Sequence, residues 1–281
     1  MMNRMLTPSE RPQILLTNDD GIRSPGLWAA AEALSEIGFV TVAAPREQSS
    51  GAGRSMPVSS DGRLHEEQVT VRGKTWKVYA VGGTPAQAVQ HAVLELMPGL
   101  PDLVVSGINY GENLTIGVSI SGTVGAALEA AAFGIPALAM SLEMPDSYYL
   151  SHSEEIDFSV AADFTRRFGR LLLQLDPIPD VDVLKVDVPH DAVPGTPWHI
   201  TRLSRQKYYV PVAPHRTSLE DPGHLDFKIE LDEASLEPDS DVYALSIERL
   251  VSVTPLSLDF TSRVAFDSLQ QALQKGLDAD R

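Results

Sequence analysis

The chain has 281 residues, of which 43% are hydrophobic and 21% charged, a composition typical of a globular protein with a sizeable core. Its formal net charge of −16 argues against a nucleic-acid polymer as partner, although a local cation could still attract a small phosphorylated molecule. The lack of cysteine excludes disulfides, thiolate metal sites and a cysteine nucleophile. It is compatible with a cytoplasmic location, which we expect, and no apolar run of about 18 residues predicts a membrane span.

The first part of the chain alternates strand and helix signals. Met1 to Pro12 is polar and lacks the apolar segment of a signal peptide, so we expect residues 1–13 to form a disordered lead-in. Ile14–Thr17 then predicts a buried strand, and Ser24-Pro25 predicts the start of a helix, with a capping residue followed by proline. Phe39–Ala44 predicts the second strand.

Residues 46–75 are polar and predict an irregular segment, with a hairpin around Ser60-Asp61-Gly62. The alternation then resumes, with strands predicted over 77–81, 103–105, 135–142 and 183–188 and helices over 84–96, 122–133 and 156–175. Strands separated by helices predict an α/β fold, with a mostly parallel sheet that carries helices on both faces.

The pattern changes near residue 197. Short antiparallel strands are predicted at Trp198–Thr201, Tyr208–Val212, Phe227–Leu231 and Leu250–Val253, followed by a helix at Phe266–Leu277. The many acids between residues 220 and 241 are typical of a solvated face. We therefore divide the chain into the lead-in, a core at 14–196 and a C-terminal strand-rich and helical segment at 197–281.

Polar clusters follow three of the predicted strands, at Asn18–Asp20, Pro45–Gly51 and Ser106–Asn113. A fourth cluster, Ser121-Gly122-Thr123, opens a helix whose first N–H groups lack intrahelical partners. Ligands bind parallel sheets outside the carboxyl ends of the strands, so these clusters predict one shared site.

The chemistry of these clusters suits a cation beside an anion. The adjacent carboxylates Asp19 and Asp20 repel each other unless a cation neutralises them. Carboxylate, hydroxyl and amide oxygens favour Mg²⁺, Mn²⁺ or Ca²⁺, whereas zinc is disfavoured because the seven histidines show no metal-type spacing. A helix N-terminus binds anions, and a cation next to an anion site is what phosphoryl chemistry requires.

Each cluster has a simpler interpretation when taken alone. Asn18-Asp19-Asp20-Gly21 is compatible with a solvated turn, Gly107 and Gly111 with a tight turn, and Ser121-Gly122-Thr123 with a helix cap. Their placement on one sheet edge favours the site. The chain contains no GxxxxGK[ST] phosphate loop, no GxSxG serine elbow and no complete GxGxxG after a strand.

Several motifs together resemble the SurE family, the stationary-phase survival proteins that act as metal-dependent nucleotidases. Their order and spacing agree from residue 14 to about 142, and weaker matches follow at Thr201-Arg202, Asp241–Leu245 and Val251–Leu256. The motifs that carry the resemblance are Leu16–Gly21 with Pro25-Gly26, Ala44-Pro45 with Ser50, Gly83-Thr84-Pro85, Val105–Asn109 and Ser121–Val124.

The resemblance implies one divalent ion per subunit, Mg²⁺ or Mn²⁺, held by Asp19, Asp20, Ser50 and Asn109. It implies a Rossmann-like core that hydrolyses nucleoside monophosphates, and a C-terminal hairpin and helix that exchange between subunits of a homodimer or homotetramer. The chain departs from the family at Ile120, where tyrosine or histidine is usual. It also departs at Gly117, where an acid is common, and at Gln87, where aspartate is usual.

Our hypothesis is a phosphatase acting on nucleoside 5′-monophosphates, with 3′-monophosphates and short polyphosphate as further candidate substrates. Asp19 would orient or deprotonate the attacking water, while Asn109 and the helix start at Ser121, Gly122 and Thr123 would hold phosphate oxygens. One alternative is a non-catalytic nucleotide-binding module. A second is a metal-dependent glycosyl or nucleotidyl transferase, for which the sequence shows no separate donor site.

Overall fold

The protein was analysed as a computed structural model, which describes residues 11–144 and 156–279. Most of the expected lead-in therefore lies outside the described residues, and Gln13 already belongs to the first strand. The strands are β1 Gln13–Thr17, β2 Phe39–Pro45, β3 Leu64–Val71, β4 Lys74–Val81, β5 Leu103–Tyr110, β6 Ala137–Leu142, β7 Val183–Val188, β8 Trp198–Ile200, β9 Tyr209–Val212, β10 Asp226–Ile229 and β11 Val251–Leu256. The α-helices are α1 Pro25–Leu34, α2 Pro85–His91, α3 Gly122–Ala132, α4 Ser159–Leu172 and α5 Phe266–Ala279.

A large sheet forms the centre of the molecule, in the order β3-β4-β2-β1-β5-β6-β7-β11-β8. The six neighbours from β4 to β7 all pair in parallel. Ile14 and Leu16 point into a core with α1 and α4, whereas Leu15 between them points into a second core with α2 and α3. The predicted α/β fold with helices on both faces is therefore confirmed.

Local signals explain where the helices near the sheet edge begin. Thr84 caps α2 and forms a reciprocal capping box with Gln87. Ser121 caps α3 by accepting a hydrogen bond from the backbone N–H of Val124 at 3.1 Å. Both helices consequently start at the carboxyl edge of the sheet, as their sequences predict.

The prediction for residues 46–75 is wrong in one respect, because β3 occupies Leu64–Val71. This strand pairs with β4 in antiparallel register, and the chain reverses at Arg72 and Gly73, both with positive φ, and not around Ser60. The strand lies at the edge of the sheet, and its residues are half-buried or exposed. Its polar sequence thus lacks the apolar alternation that a more buried strand shows.

The C-terminal segment contributes two strands to the large sheet. β11 pairs antiparallel with β7, while β8 pairs with β11 in parallel, so the expectation of an antiparallel strand at Trp198–Thr201 is wrong. The partner of β8 lies about fifty residues later in the chain, and short-range pattern carries no information on its direction. β9 and β10 form the predicted antiparallel hairpin. Among the described residues, no helix is long and apolar enough to cross a membrane.

Candidate active site

The predicted polar clusters meet at one edge of the sheet, since β2, β1 and β5 are neighbours that run in parallel. Backbone hydrogen bonds join their loops. The N–H of Ser49 donates to the carbonyl of Asp19 at 2.7 Å, and the N–H of Ile22 donates to the carbonyl of Pro45 at 2.9 Å. The loops after β1 and β2 are therefore held together from both sides of the Asp19-Asp20 pair.

Asp19 lies against the first turn of α3. Its Oδ1 accepts a hydrogen bond from the Thr123 hydroxyl. A Cβ added to Gly122 would lie 2.7 Å from the Asp19 Cβ, so only glycine leaves room for this carboxylate. Burial raises the pKa of Asp19, although its hydrogen bonds with Thr123 and with backbone groups at the helix start oppose the rise. Part of the negative charge is thus stabilised by α3.

Asp20 is buried beside it. Its Oδ2 accepts a hydrogen bond from the backbone N–H of Tyr110 at 3.1 Å, which connects the carboxylate to the end of β5. Burial, and then repulsion from Asp19, hold the pKa of Asp20 well above its usual range. Among residues 11–144 and 156–279, no lysine, arginine or histidine forms an ion pair with either carboxylate. Two adjacent buried acids without a cation are costly, and they fit a cation site.

Ser50 and Asn109 can add two neutral oxygens. Ser50 is exposed, and its hydroxyl accepts a hydrogen bond from Gln48 Nε2 at 2.9 Å. Asn109 is half-buried, and its Nδ2 donates to the carbonyls of Tyr110 at 3.2 Å and Gly111 at 2.7 Å. Both amide hydrogens are engaged, so the amide oxygen is the atom left to act as a ligand.

Two further hydroxyls lie on the same strands, Thr17 at the end of β1 and Ser106 in the middle of β5. Thr17 and Ser106 are register partners in β1 and β5. Their hydroxyl oxygens are buried and have no hydrogen-bond partner within the described part of the chain. Buried unpaired polar groups are rare in folded proteins, and here they lie two positions before Asp19 and three positions before Asn109.

The three residues proposed for phosphate binding open α3. The Ser121 hydroxyl caps the helix, and the Thr123 hydroxyl donates to Asp19, so both side chains are engaged within the protein. The backbone N–H groups at Gly122 and Thr123, the other donors at this helix start, already face Asp19 and oppose the rise of its pKa. A phosphate at this helix start would meet a carboxylate, and the repulsion requires a cation between them.

A second acidic group lies at the carboxyl ends of β6 and β7, where ligand atoms of Glu143, His190 and Asp191 lie within 4.8 Å of one another. Arg249 pairs with Glu143 at 2.5 Å and with Asp191 at 2.6 Å. Burial opposes ionisation of Glu143, but its hydrogen bonds with Arg249 and His190 outweigh burial and lower its pKa. A guanidinium already pairs with both carboxylates of this group, so we interpret it as an ion-pair network.

A buried charged triad, which sequence reasoning missed, supports the loop between β5 and α3. Lys185 is fully buried and lies 2.5 Å from Asp187 and 3.2 Å from Asp241. Asp187 accepts from the N–H of Asn113 at 2.7 Å, and Asp241 from the N–H of Thr115 at 2.9 Å. The only signal in the sequence is a lysine and an aspartate within the apolar strand Val183–Val188, and it does not reveal Asp241 as their partner.

The chain is similar to known proteins over most of its length. A sequence model described as Survival protein SurE matches residues 14–210. The chain belongs to the SurE family. A protein named 5′-nucleotidase SurE from Thermococcus gammatolerans is 42% identical over 261 residues, covering 93% of this chain and 96% of that relative. The corresponding protein from Archaeoglobus fulgidus is 43% identical over 260 residues, covering 92% and 96%.

The fold agrees as well. The crystal structure of a SurE protein from Aquifex aeolicus superimposes with a TM-score of 0.71 at 30% identity, covering 93% of this chain and 99% of that one. The family resemblance and the Rossmann-like fold expected from the sequence are both confirmed.

Proposed function

We propose that this protein is a metal-dependent phosphatase that hydrolyses nucleoside 5′-monophosphates to nucleoside and phosphate at the Asp19-Asp20 site. The observation that carries the proposal is the pair of adjacent buried carboxylates, which no described cation neutralises. The name 5′-nucleotidase of relatives that are 42% and 43% identical supports the choice of substrate. Metal-dependent cleavage of 3′-monophosphates and short polyphosphate would need the same phosphoryl chemistry and is included in the test.

The residues present fit a single hard divalent cation, Mg²⁺ or Mn²⁺. Asp19, Asp20, Ser50 and Asn109 would hold it, with two carboxylates, one hydroxyl and one amide oxygen. When bound, the ion would neutralise the negative charge that develops on the phosphoryl oxygens in the transition state. Such a cation also explains how a phosphate could approach a helix start that already carries Asp19.

We assign the orientation and deprotonation of the attacking water to Asp19. Its hydrogen bond from Thr123 fixes the direction of the carboxylate next to the site proposed for the cation, where a water molecule would be bound. The N–H groups at Gly122 and Thr123 would donate to phosphoryl oxygens. Asn109 was expected to hold phosphate oxygens, but its amide hydrogens are engaged, so we assign its oxygen to the cation.

The C-terminal segment 197–281 is proposed to form a homodimer or homotetramer. One side of α5 is apolar and exposed, and its large apolar residues are spaced three or four positions apart, as on one face of a helix. The exposed hairpin of β9 and β10 comes before this helix in the chain. The apolar residues of this helix are Phe266, Leu269, Leu273 and Leu277. An amphipathic helix whose apolar side is uncovered favours association with another subunit.

Phosphate release from a panel of nucleoside 5′- and 3′-monophosphates and short polyphosphate, measured in EDTA and with added Mg²⁺ or Mn²⁺, tests the activity. We expect release only with metal, and a loss of about 10²–10³-fold or more in Asp19→Ala. Asp176→Ala, at an exposed aspartate distant in sequence from the site, serves as the control. Full activity of folded Asp19→Ala would refute the assignment. Folded wild-type protein that binds nucleotides without releasing phosphate would instead support a binding module.

A further inference from the structure

A cavity of about 230 Å³ lies between the loop that leads into α3 and the first strand of the C-terminal hairpin. One wall is formed by residues 115–120 and the other by residues 207–211. The side chains that matter for its chemistry are Ile116, Ile120, Lys207, Tyr209 and Pro211.

The two walls of the cavity are tied together. The Tyr209 hydroxyl lies 2.9 Å from the carbonyl of Glu112, to which it donates, and 3.1 Å from Glu112 Oε1. The Tyr209 ring packs edge-on against Tyr208, with ring centres 4.8 Å apart. A Cβ on Gly117 would make ordinary contact with that ring at 3.6 Å. The ring is therefore held in place before any ligand arrives, which lowers the entropic cost of binding against it.

The cavity lies next to the start of α3, at the edge of the candidate active site. Ile120 directly precedes Ser121, the capping residue of α3. The carbonyl of Ile120 accepts a hydrogen bond from the N–H of Gly53 at 2.9 Å, and Gly53 lies three residues after Ser50 in the loop following β2. A molecule with its phosphate at the start of α3 could thus extend directly into this cavity.

The lining of the cavity suits a flat apolar group. Ile116 and Ile120 are 50% and 63% exposed, so both present aliphatic surface to the cavity. The neighbouring polar groups are used within the loop itself, because the Ser119 hydroxyl donates to the carbonyl of Ile116 and the Thr115 hydroxyl accepts from the N–H of Gly117. The lining therefore offers aliphatic and aromatic contact. It has few side-chain groups that could form hydrogen bonds with the edge of a flat ligand.

We propose that this cavity is the subsite for the nucleobase of the substrate, recognised by apolar contact with Ile116 and Ile120 and by the Tyr209 ring. This inference rests on the proposed function. Such contact is available to every base, because each base has a flat π-face. The subsite consequently strengthens binding of purine and pyrimidine nucleotides alike and discriminates weakly among them.

The test compares Ile120→Ser with the wild type on AMP, GMP, CMP and UMP, and on ribose 5-phosphate, which lacks a base. We expect the ratio of kcat/KM for each nucleotide to that for ribose 5-phosphate to fall by about tenfold. Ile178→Ser is the matched control, since Ile178 is 50% exposed, against 63% for Ile120, but lies before β7, on the opposite edge of the sheet. It should leave the ratio unchanged.

If the kcat/KM ratio in Ile120→Ser is unchanged, or falls for one base only, the proposed nucleobase subsite is refuted. Metal-dependent phosphate release by the wild type would still support the proposed function in that case. If the folded wild type releases no phosphate, equilibrium dialysis with labelled AMP decides the matter independently. Weaker binding by Ile120→Ser than by Ile178→Ser would support the subsite without catalysis, and equal binding would refute it.

Discussion

Replacement of Asp20 by asparagine should stabilise the metal-free protein while abolishing its response to divalent cations. Asp20 is 7% exposed, and burial together with the charge of Asp19 holds its pKa well above the usual range. At neutral pH its ionised form therefore costs folding free energy. Asparagine keeps an oxygen that can accept the hydrogen bond of the Tyr110 N–H at 3.1 Å, so the substitution removes the charge and little else.

The expected gain is about 1–3 kcal/mol in the free energy of unfolding, the usual cost of a buried polar group that lacks a compensating partner. A carboxyl whose pKa is raised on folding destabilises the protein above the folded-state pKa; this penalty shrinks as the pH falls below that value and is gone below the unfolded-state pKa. Metal-free wild type should consequently become more stable relative to Asp20→Asn as the pH is lowered from about 7 toward about 5.

Urea unfolding in EDTA, at one protein concentration for all variants, measures this difference. Asp176→Asn, at an exposed site, controls for the loss of a negative charge. Added Mg²⁺ or Mn²⁺ at a hundred times its Kd should stabilise the wild type by about 2.7 kcal/mol and Asp20→Asn by much less. Lower stability of Asp20→Asn than of the wild type in EDTA, or an equal gain from metal, would refute the reasoning.

Three further outcomes are expected. Lys185→Met should lower the free energy of unfolding in urea by about 3–5 kcal/mol, because it leaves two buried carboxylates without their cation. Lys77→Met is the control and should be nearly neutral, since Lys77 and Glu66 form an exposed pair. Equal losses in the two variants would contradict the role of the triad. Gly122→Ala should lower kcat/KM by about 10²-fold, since its Cβ would displace Asp19, while Gly99→Ala, with open space around it, should not. Leu273→Glu should shift the assembly toward a smaller species in analytical ultracentrifugation, and an unchanged sedimentation coefficient would contradict the proposed role of α5.

Much of the fold could be predicted because its signals are local. The central strands are short apolar runs, and the helices near the sheet edge begin with capping residues that satisfy their own first N–H groups. The alternation of these elements implied a parallel sheet, and with it the expectation that the clusters around Asp19, Ser50 and Asn109 share one edge. The adjacency of β2, β1 and β5 bears this out.

Other features depend on partners that lie far apart in the chain. Asp19 and Thr123 are in contact although they lie 104 positions apart, and the close approach of Asp19 requires glycine at position 122. The sequence Ser121-Gly122-Thr123 predicts neither feature, because it is equally typical of a helix cap. β3 is a polar edge strand, so the hydrophobic pattern of the sequence did not predict its pairing with β4.

Residue types and their local spacing therefore determined the elements and the chemistry available at the strand ends. Only the tertiary structure decided which of the described acids have no cationic side chain beside them, as for Asp20, and which are paired with one, as for the acids around Arg249 and Lys185. It also brought Tyr209 to the loop before α3 and so formed the cavity beside the site. The physical reason is that burial and electrostatic neutralisation depend on distances in space, whereas capping and hydrophobic periodicity depend on distances along the chain.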